Sequence, residues 1–232
     1  MKTKTFLAII PARGGSKRLP RKNILPFNGK PLIQHTIKAG VQSKYIDTVL
    51  VSTDDVEIET VSKQINVKVI KRPDILGSDT ATSFDVVKHA IENGDKEYDF
   101  IVLLQPTSPL RDFSHIDEAI DLLIEKKADA VISVNKMDHS PLWANTLPQD
   151  KSMKGFIKKE LQNTRSQDIE DYYQLNGAIY ICETKRLLAE KTFLFDDNIF
   201  AYEMDRVSSV DIDDAMDFKI AELFSREKEN IN

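Results

Sequence analysis

Thr5-Phe6-Leu7-Ala8-Ile9-Ile10-Pro11-Ala12-Arg13-Gly14-Gly15-Ser16-Lys17-Arg18-Leu19-Pro20-Arg21-Lys22-Asn23 begins as an apolar run, stops at a proline, and gives way to glycine, serine and five cations between positions 13 and 22. This is the composition of a strand whose end opens into a loop that wraps a polyanion. Glycines let the backbone turn sharply and approach phosphate oxygens. Successive backbone N–H groups form an anion-binding concavity, and Arg and Lys supply the compensating charge. A nucleoside triphosphate is the ligand this stretch leads us to expect; the alternative is a solvated charge cluster on a turn. Neither G-x-x-x-x-G-K-[ST] nor G-x-G-x-x-G is present, so the loop belongs to neither of the two commonest phosphate-binding types.

The 232 residues and the net charge of −5 set the frame for that loop. A chain of this length buries a substantial core without disulfides, and the single cysteine, Cys182, fits a reducing compartment. In an acidic protein, a local concentration of cations favours a compact anionic ligand over nucleic acid. No apolar run approaches membrane-spanning length and no signal-peptide pattern is present, so a cytoplasmic protein with no membrane or nucleic-acid partner is expected.

Working outward, strand-length apolar runs alternate with helix-period segments, the pattern of βαβ units and a mostly parallel sheet. The spacing predicts strands over Thr5–Ile10, Thr48–Ser52, Val67–Ile70, Phe100–Leu104 and Ala130–Val134. Helices are predicted over Leu32–Val41, with Leu32, Ile33, Ile37 and Val41 on one face, and over Val56–Gln64, Phe84–Asn93 and Ile116–Ile124. Ser114 with Asp117 resembles a capping box before the last of these. The polar run Gly77–Ser83 reads as a long loop at the carboxyl edge of the sheet, where open α/β sheets bind ligands.

From Asn135 to Gln174 the periodicity fails. We read this segment as an excursion from a single domain spanning 1–232, with exposed aromatics suited to packing on a partner, or alternatively as a surface hairpin. Strand character returns at Asn176–Cys182, a final strand is expected at Val207–Ile212, and a last helix over Asp213–Glu227 with Met216, Ile220, Leu223 and Phe224 on its apolar side.

Asp211-Ile212-Asp213 admits two readings. In an extended segment residues i and i+2 share a side, so both carboxylates converge where a hard divalent cation binds against a phosphate. Acids just before a helix also serve as caps and favour its dipole. Gln105, at the carboxyl end of the clearest buried strand, is placed to fix a polar ligand, and Arg72 and Ser83 fit the same pocket. His35, His89, His115 and His139 show no metal-ligand spacing; His35 and His89 are expected to be structural and Cys182 to be core.

Taken together, Ile10-Pro11-Ala12-Arg13-Gly14-Gly15-Ser16-Lys17 with Pro20, Lys22 and Asn23, then Ser52-Thr53-Asp54, Arg72-Pro73, Ser78-Asp79-Thr80, Leu104-Gln105-Pro106-Thr107-Ser108-Pro109-Leu110-Arg111, Asn176-Gly177-Ala178-Ile179-Tyr180 and Asp211-Ile212-Asp213 resemble the acylneuraminate cytidylyltransferases, in order and over nearly the whole chain. The resemblance implies a Rossmann-like α/β nucleotidyltransferase core, CTP and a nonulosonic acid as substrates, Mg²⁺ as cofactor, and a homodimer in which the 135–174 excursion reaches the other subunit. It places Ala12, Arg13, Gly14, Ser16, Lys17, Lys22, Asn23, Arg72 and Ser83 around the nucleotide. Arg13, Lys17, Lys22 and Asp211 would be catalytic. Gln105, Asn176 and Tyr180 would lie at the sugar site, with Arg165 approaching the partner's site, and Asp211 and Asp213 would hold the metal.

Two positions depart from the sialate enzymes, Trp143 and Gln174 standing where those carry a lysine and an arginine. With two cations fewer, a legionaminic or pseudaminic type of acid suits the site better than N-acetylneuraminate. A 3-deoxy-manno-octulosonate cytidylyltransferase shares the opening loop but not the Gln105–Arg111 and Asn176–Tyr180 motifs. A metal-dependent glycosyltransferase places its acidic pair after a central strand rather than near the C-terminus, and a nucleotide sensor would bind CTP without releasing pyrophosphate.

Overall fold

A computed structural model describes residues 4–78, 80–165 and 168–231. Its centre is the strand that opens the chain, β1 (Phe6–Pro11), flanked on both sides by parallel partners: β4 (Thr48–Thr53) on one and β6 (Phe100–Leu104) on the other. The seven-stranded sheet runs β5-β4-β1-β6-β8-β7-β9, with β5 (Lys68–Lys71), β7 (Ala130–Lys136), β8 (Tyr173–Glu183) and β9 (Ile199–Glu203). Only β8 runs against its neighbours, so the expected mostly parallel sheet is observed. A two-stranded ribbon, β2 (Pro26–Phe27) and β3 (Lys30–Pro31), follows the basic loop.

Both faces of the central strands are covered, which is why they read as unbroken apolar runs. Phe6, Ala8 and Ile10 pack with Ile33 and Ile37 of α1 (Leu32–Gln42), Ile58 of α2 (Val56–Gln64) and Ile116 and Ile120 of α4 (Phe113–Lys126). Leu7 and Ile9 face the other way, onto Val87 and Ala90 of α3 (Ser83–Glu92) and Leu187 of α5 (Thr184–Glu190). Cys182 lies in this second layer, fully buried, with its thiol pKa pushed up by that burial. Each such side chain contributes about 1.5–3 kcal/mol of transfer free energy.

Several expectations need correction. Val41 is exposed, so the buried face of α1 is Leu32, Ile33 and Ile37. The cap of α4 is Asp112, whose side chain accepts from Ser114 N while His115 reaches back to the Asp112 N–H; Asp117 instead holds Ser43 and Lys44. Val207–Ile212 is not a strand, because Asp205 gathers Ser208 and Ser209 into a turn. The last helix, α6 (Ala215–Ile231), buries Ala221 and packs Phe218 and Phe224 onto Phe27, Leu32, Leu110 and Ile212, leaving Met216, Ile220 and Leu223 exposed.

The excursion occupies the interval between β7 and β8 and carries short 3-10 turns at Pro141–Trp143 and Lys159–Leu161, with Ser166 and Gln167 outside the described residues. No described helix is long and apolar enough to cross a membrane.

Candidate functional site

β4 and β5 lie to one side of β1, while β6 and everything after it lie to the other. Open α/β sheets bind ligands at such a switch point, outside the carboxyl ends of the strands. A cleft of about 350 Å³ is found there, between the loop that leaves β1, the loop that enters α3 and the loop that leaves β6.

The basic loop is fixed at three points. Ala12 is buried, and its N–H donates to the Ser52 carbonyl at 2.9 Å, extending the β1–β4 pairing past Pro11. Asn23 donates from Nδ2 to the Arg13 carbonyl at 3.0 Å and ties the two ends of the loop together. Gly14 lies against Asp55, where an added Cβ would be 2.5 Å from Oδ2. Asp55 itself caps α2, accepting from Glu57 N and Ile58 N at 2.8 and 3.0 Å.

The neighbouring acid does a parallel task. Asp54 Oδ1 accepts from Arg72 Nη2 at 3.0 Å and Nε at 3.3 Å, and holds a guanidinium that is 4% exposed. Burial lowers the Arg72 pKa, Asp54 opposes that shift, and nearby Arg13 reinforces it. Neither Asp54 nor Asp55 has a site role assigned from sequence; two acids directly after a buried strand are the signal that marks them.

The carboxylate pair enters from the C-terminal side. Ile212 N donates to the Thr107 carbonyl at 2.8 Å, docking the 211–213 segment on the loop after β6. Lys22 crosses from the basic loop: its ammonium donates to the Ile212 carbonyl and lies 3.6 Å from Asp213 Oδ1, while Arg18 meets Asp213 Oδ2 at 3.0 Å. Burial lowers the Lys22 pKa, against the pull of Asp213 and Asp211.

Asp211 is an exposed residue, and desolvation by the protein around it raises its carboxyl pKa. The Thr107 hydroxyl opposes that rise from outside good hydrogen-bonding geometry, Asp213 adds to it, and Lys22 opposes it. The helix cap belongs to other acids: Asp214 accepts from Met216 N and Asp217 N, and Asp217 accepts from Asp213 N and Asp214 N. The carboxylates of Asp211 and Asp213 are therefore not spent on capping. Among the described residues no group of three or more His, Cys, Asp or Glu side chains is arranged to hold a metal.

Of the residues singled out from sequence, Arg13, Ser16, Lys22 and Asn23 of the basic loop line the cleft together with Arg72, Ser83 and Gln105. Ser83 is the first residue of α3, next to a Thr82–Asp85 capping box. Lys17 is exposed on the same loop, and Asp79 lies outside the described residues. Tyr180 is half-buried on β8 with its ring edge-on to Phe193 at 5.7 Å between centroids, outside the residues that line the cleft, and its phenol pKa is raised by burial and then by Asp211.

Asn176 is buried and its amide is engaged internally. Its Oδ1 accepts from Ser133 Oγ at 2.6 Å and Ala178 N at 3.1 Å, and its Nδ2 donates to Ser209 Oγ at 3.0 Å. The motif is a bulge. The pairing slips between Ile132↔Tyr180 and Val134↔Leu175, Ser133 bonds across the gap to Ile179 N, and Gly177 adopts φ +75° with the Gln105 amide 3.7 Å from its Cβ position. Arg165 is exposed on the excursion and is not among the residues that line the cleft.

Comparison with known proteins agrees with this geometry. A family model described as cytidylyltransferase matches residues 7–230. An N-acylneuraminate cytidylyltransferase of Escherichia coli is 38% identical over 98% of this chain and 54% of its own length. The CMP-N,N'-diacetyllegionaminic acid synthase of Legionella pneumophila is 35% identical, and a pseudaminic acid cytidylyltransferase of Campylobacter jejuni 34%, each over 94% of both chains.

This chain thus spans about half the length of the E. coli and Streptococcus agalactiae relatives it matches. A solved CMP:2-keto-3-deoxy-manno-octonic acid synthetase complexed with CTP shares the fold at TM-score 0.72 and 17% identity, covering 97% of this chain and 99% of that one. On the family match and the identity of these relatives, the chain belongs to the cytidylyltransferase family.

Proposed function

We propose that this protein transfers CMP from CTP to the anomeric hydroxyl of a nonulosonic acid and releases pyrophosphate. The observation that carries the reading is the convergence at Lys22. One ammonium links the cation loop leaving β1 to the carboxylate pair docked on the loop leaving β6, at the mouth of a single cleft. In the reaction the sugar hydroxyl oxygen bonds to the α-phosphorus, the bond from that phosphorus to the bridging oxygen breaks, and pyrophosphate leaves with the electron pair. The hydroxyl proton passes to solvent.

The protein's part is to position two anions against each other and to neutralise charge. Positioning contributes about 7–11 kcal/mol to a two-substrate step, and each preorganised donor roughly 3–4 kcal/mol. Arg13 and Lys17 are our choices for stabilising the leaving pyrophosphate, with Lys22 beside them. Arg72, Asn23 and Ser83 hold the nucleoside end. Gln105 and Tyr180 face the sugar, and the Asn176 bulge sets the height of Gln105.

Asp211 and Asp213 fit Mg²⁺, a cation that binds through one or two carboxylates, waters and substrate phosphates rather than through an all-protein cage. When bound, it supplies charge neutralisation at the phosphates. We further propose a homodimer formed through the excursion, with Arg165 approaching the partner's cleft, and a legionaminic or pseudaminic type of acid as acceptor. The test supplies CTP, Mg²⁺ and each of N-acetylneuraminate, legionaminate, pseudaminate and 3-deoxy-manno-octulosonate, and follows pyrophosphate release and CMP-sugar. Formation of product with a nonulosonic acid is expected. CTP binding with no product from any acid would overturn the reading, and a clear preference for N-acetylneuraminate would overturn the acceptor assignment.

A further inference from the structure

Among the described residues Arg111 is the largest fully buried side chain, 1% exposed, at the end of the loop that leaves β6. Buried arginines are ordinarily paired with carboxylates, because the cost of taking the cation out of water is otherwise uncompensated. None pairs with it among the described residues. Its Nη2 donates to Thr36 Oγ1 at 3.0 Å and to the Gln105 carbonyl at 3.3 Å, both neutral acceptors, while Nε and Nη1 have no hydrogen-bond partner. Burial pushes its pKa down to about 10, against the pull of neighbouring Asp112, which leaves it charged at neutral pH.

The cost of this arrangement is borne at a particular place. Gln105, whose carbonyl the guanidinium holds, lines the cleft, as does Thr107, on whose carbonyl the Asp211–Asp213 segment docks. We propose that Arg111 is a positioning residue for the cleft: it fixes the Gln105 peptide from below and keeps under the floor a positive charge that no carboxylate pairs with directly and that Asp112 offsets only in part, where it favours a polyanion without touching it. The inference deepens the cytidylyltransferase reading and rests on it for the identity of the anion. The cations assigned to the phosphates, Arg13, Lys17 and Lys22, belong to the separate loop that leaves β1. A field acting through a low-dielectric floor is less screened by salt than one from surface cations.

For a unit charge pair about 10 Å apart at an effective dielectric of about 20, the change in affinity is on the order of tenfold. The experiment measures binding of inorganic pyrophosphate and of CTP, each with Mg²⁺, by calorimetry for the wild type, R111K, R111Q and T36D, alongside thermal unfolding and kcat and KM. T36D leaves the guanidinium in place and neutralises it with a buried partner, so it answers the question even if R111Q does not fold.

Expected are a loss of about tenfold in pyrophosphate and CTP affinity for R111Q and T36D, retention within about threefold for R111K, and a salt dependence of the loss weaker than that of Arg13→Ala. Wild-type affinity in T36D, or equal losses in R111K and R111Q, would assign Arg111 to packing alone and overturn the proposal. Absence of CMP-sugar from the wild type would instead count against the enzymatic reading, since pyrophosphate affinity is measured independently of turnover.

Discussion

Replacing Asp54 with alanine removes the only carboxylate that pairs with Arg72 among the described residues, and leaves a guanidinium 4% exposed with its charge intact. Removing one partner of a fully buried ion pair costs about 3–5 kcal/mol. The Asp54 side chain is 20% exposed, so water reaches the acid end and reduces that figure to roughly 2–3 kcal/mol. For a chain of this size each kcal/mol moves the Tm by about 2–4 °C, so the variant should melt roughly 5–10 °C lower.

A double-mutant cycle separates charge from packing. With Arg72→Met in place no charge is left stranded, and adding D54A to R72M should cost less than about 1 kcal/mol. CTP affinity should fall in both arginine-perturbed proteins, because the guanidinium that lines the cleft is lost or no longer aimed. Thermal unfolding and CTP titration of the four proteins suffice. A D54A Tm within about 2 °C of the wild type, or equal costs of D54A with and without Arg72, would refute the assignment of Asp54 as the residue that pays for Arg72.

Three further predictions follow from the same geometry. Burial raises the Asp211 pKa in the folded state, so its protonated form is favoured by folding: that contribution is present at low pH and is lost as pH rises through the raised pKa. At neutral pH Asp211→Asn should therefore melt at or above the wild-type temperature while CMP-sugar formation falls roughly a hundredfold or more; a lower Tm with full activity would contradict both roles. Gly14→Ala drives a Cβ onto Asp55 Oδ2, so calorimetry should show a loss of about 1 kcal/mol from the α2 cap and weaker pyrophosphate binding, whereas Gly15→Ala, which meets nothing within 4 Å, should keep wild-type stability. Ser133→Ala leaves Asn176 Oδ1 and Ile179 N without the hydroxyl that joins them and should cost about 2–3 kcal/mol in denaturant unfolding, with a fall in turnover from the displaced Gln105.

The sheet was legible because its central strands are buried on both faces, and an unbroken apolar run bounded by proline or polar residues has few other interpretations. The edge was not. Ile199–Glu203 runs half-buried, exposed, exposed, half-buried, exposed, with no two-residue period, while Val207, Val210 and Ile212, apolar residues interspersed with serines and an aspartate, are turned into a small separate cluster by the hydrogen bonds of Asp205. Tertiary placement likewise set the face of α6. Its buried residues are those that meet the β2–β3 ribbon, and nothing in a helix-period pattern says where that ribbon will lie.

The cleft divides along the same line. The basic loop, Arg72, Ser83 and Gln105 were readable because each follows or opens a regular element at one edge of the sheet, so predicting the sheet located them together. The supporting residues were not readable, since their roles depend on partners remote in sequence: Asp54 on Arg72, Ser133 on the slip opposite Asn176, Arg111 on Thr36.

The acidic run at 211–217 shows why proximity in sequence is insufficient. Capping and cation binding ask for the same residue type in the same place, and only the hydrogen bonds separate them. Asp214 and Asp217 satisfy the four-residue reciprocity of a helix start, and that assignment leaves Asp211 and Asp213 as a pair facing Lys22 and Arg18. The two roles coexist in one segment because the cap fixes where α6 begins, and fixing that point holds the carboxylates against the basic loop.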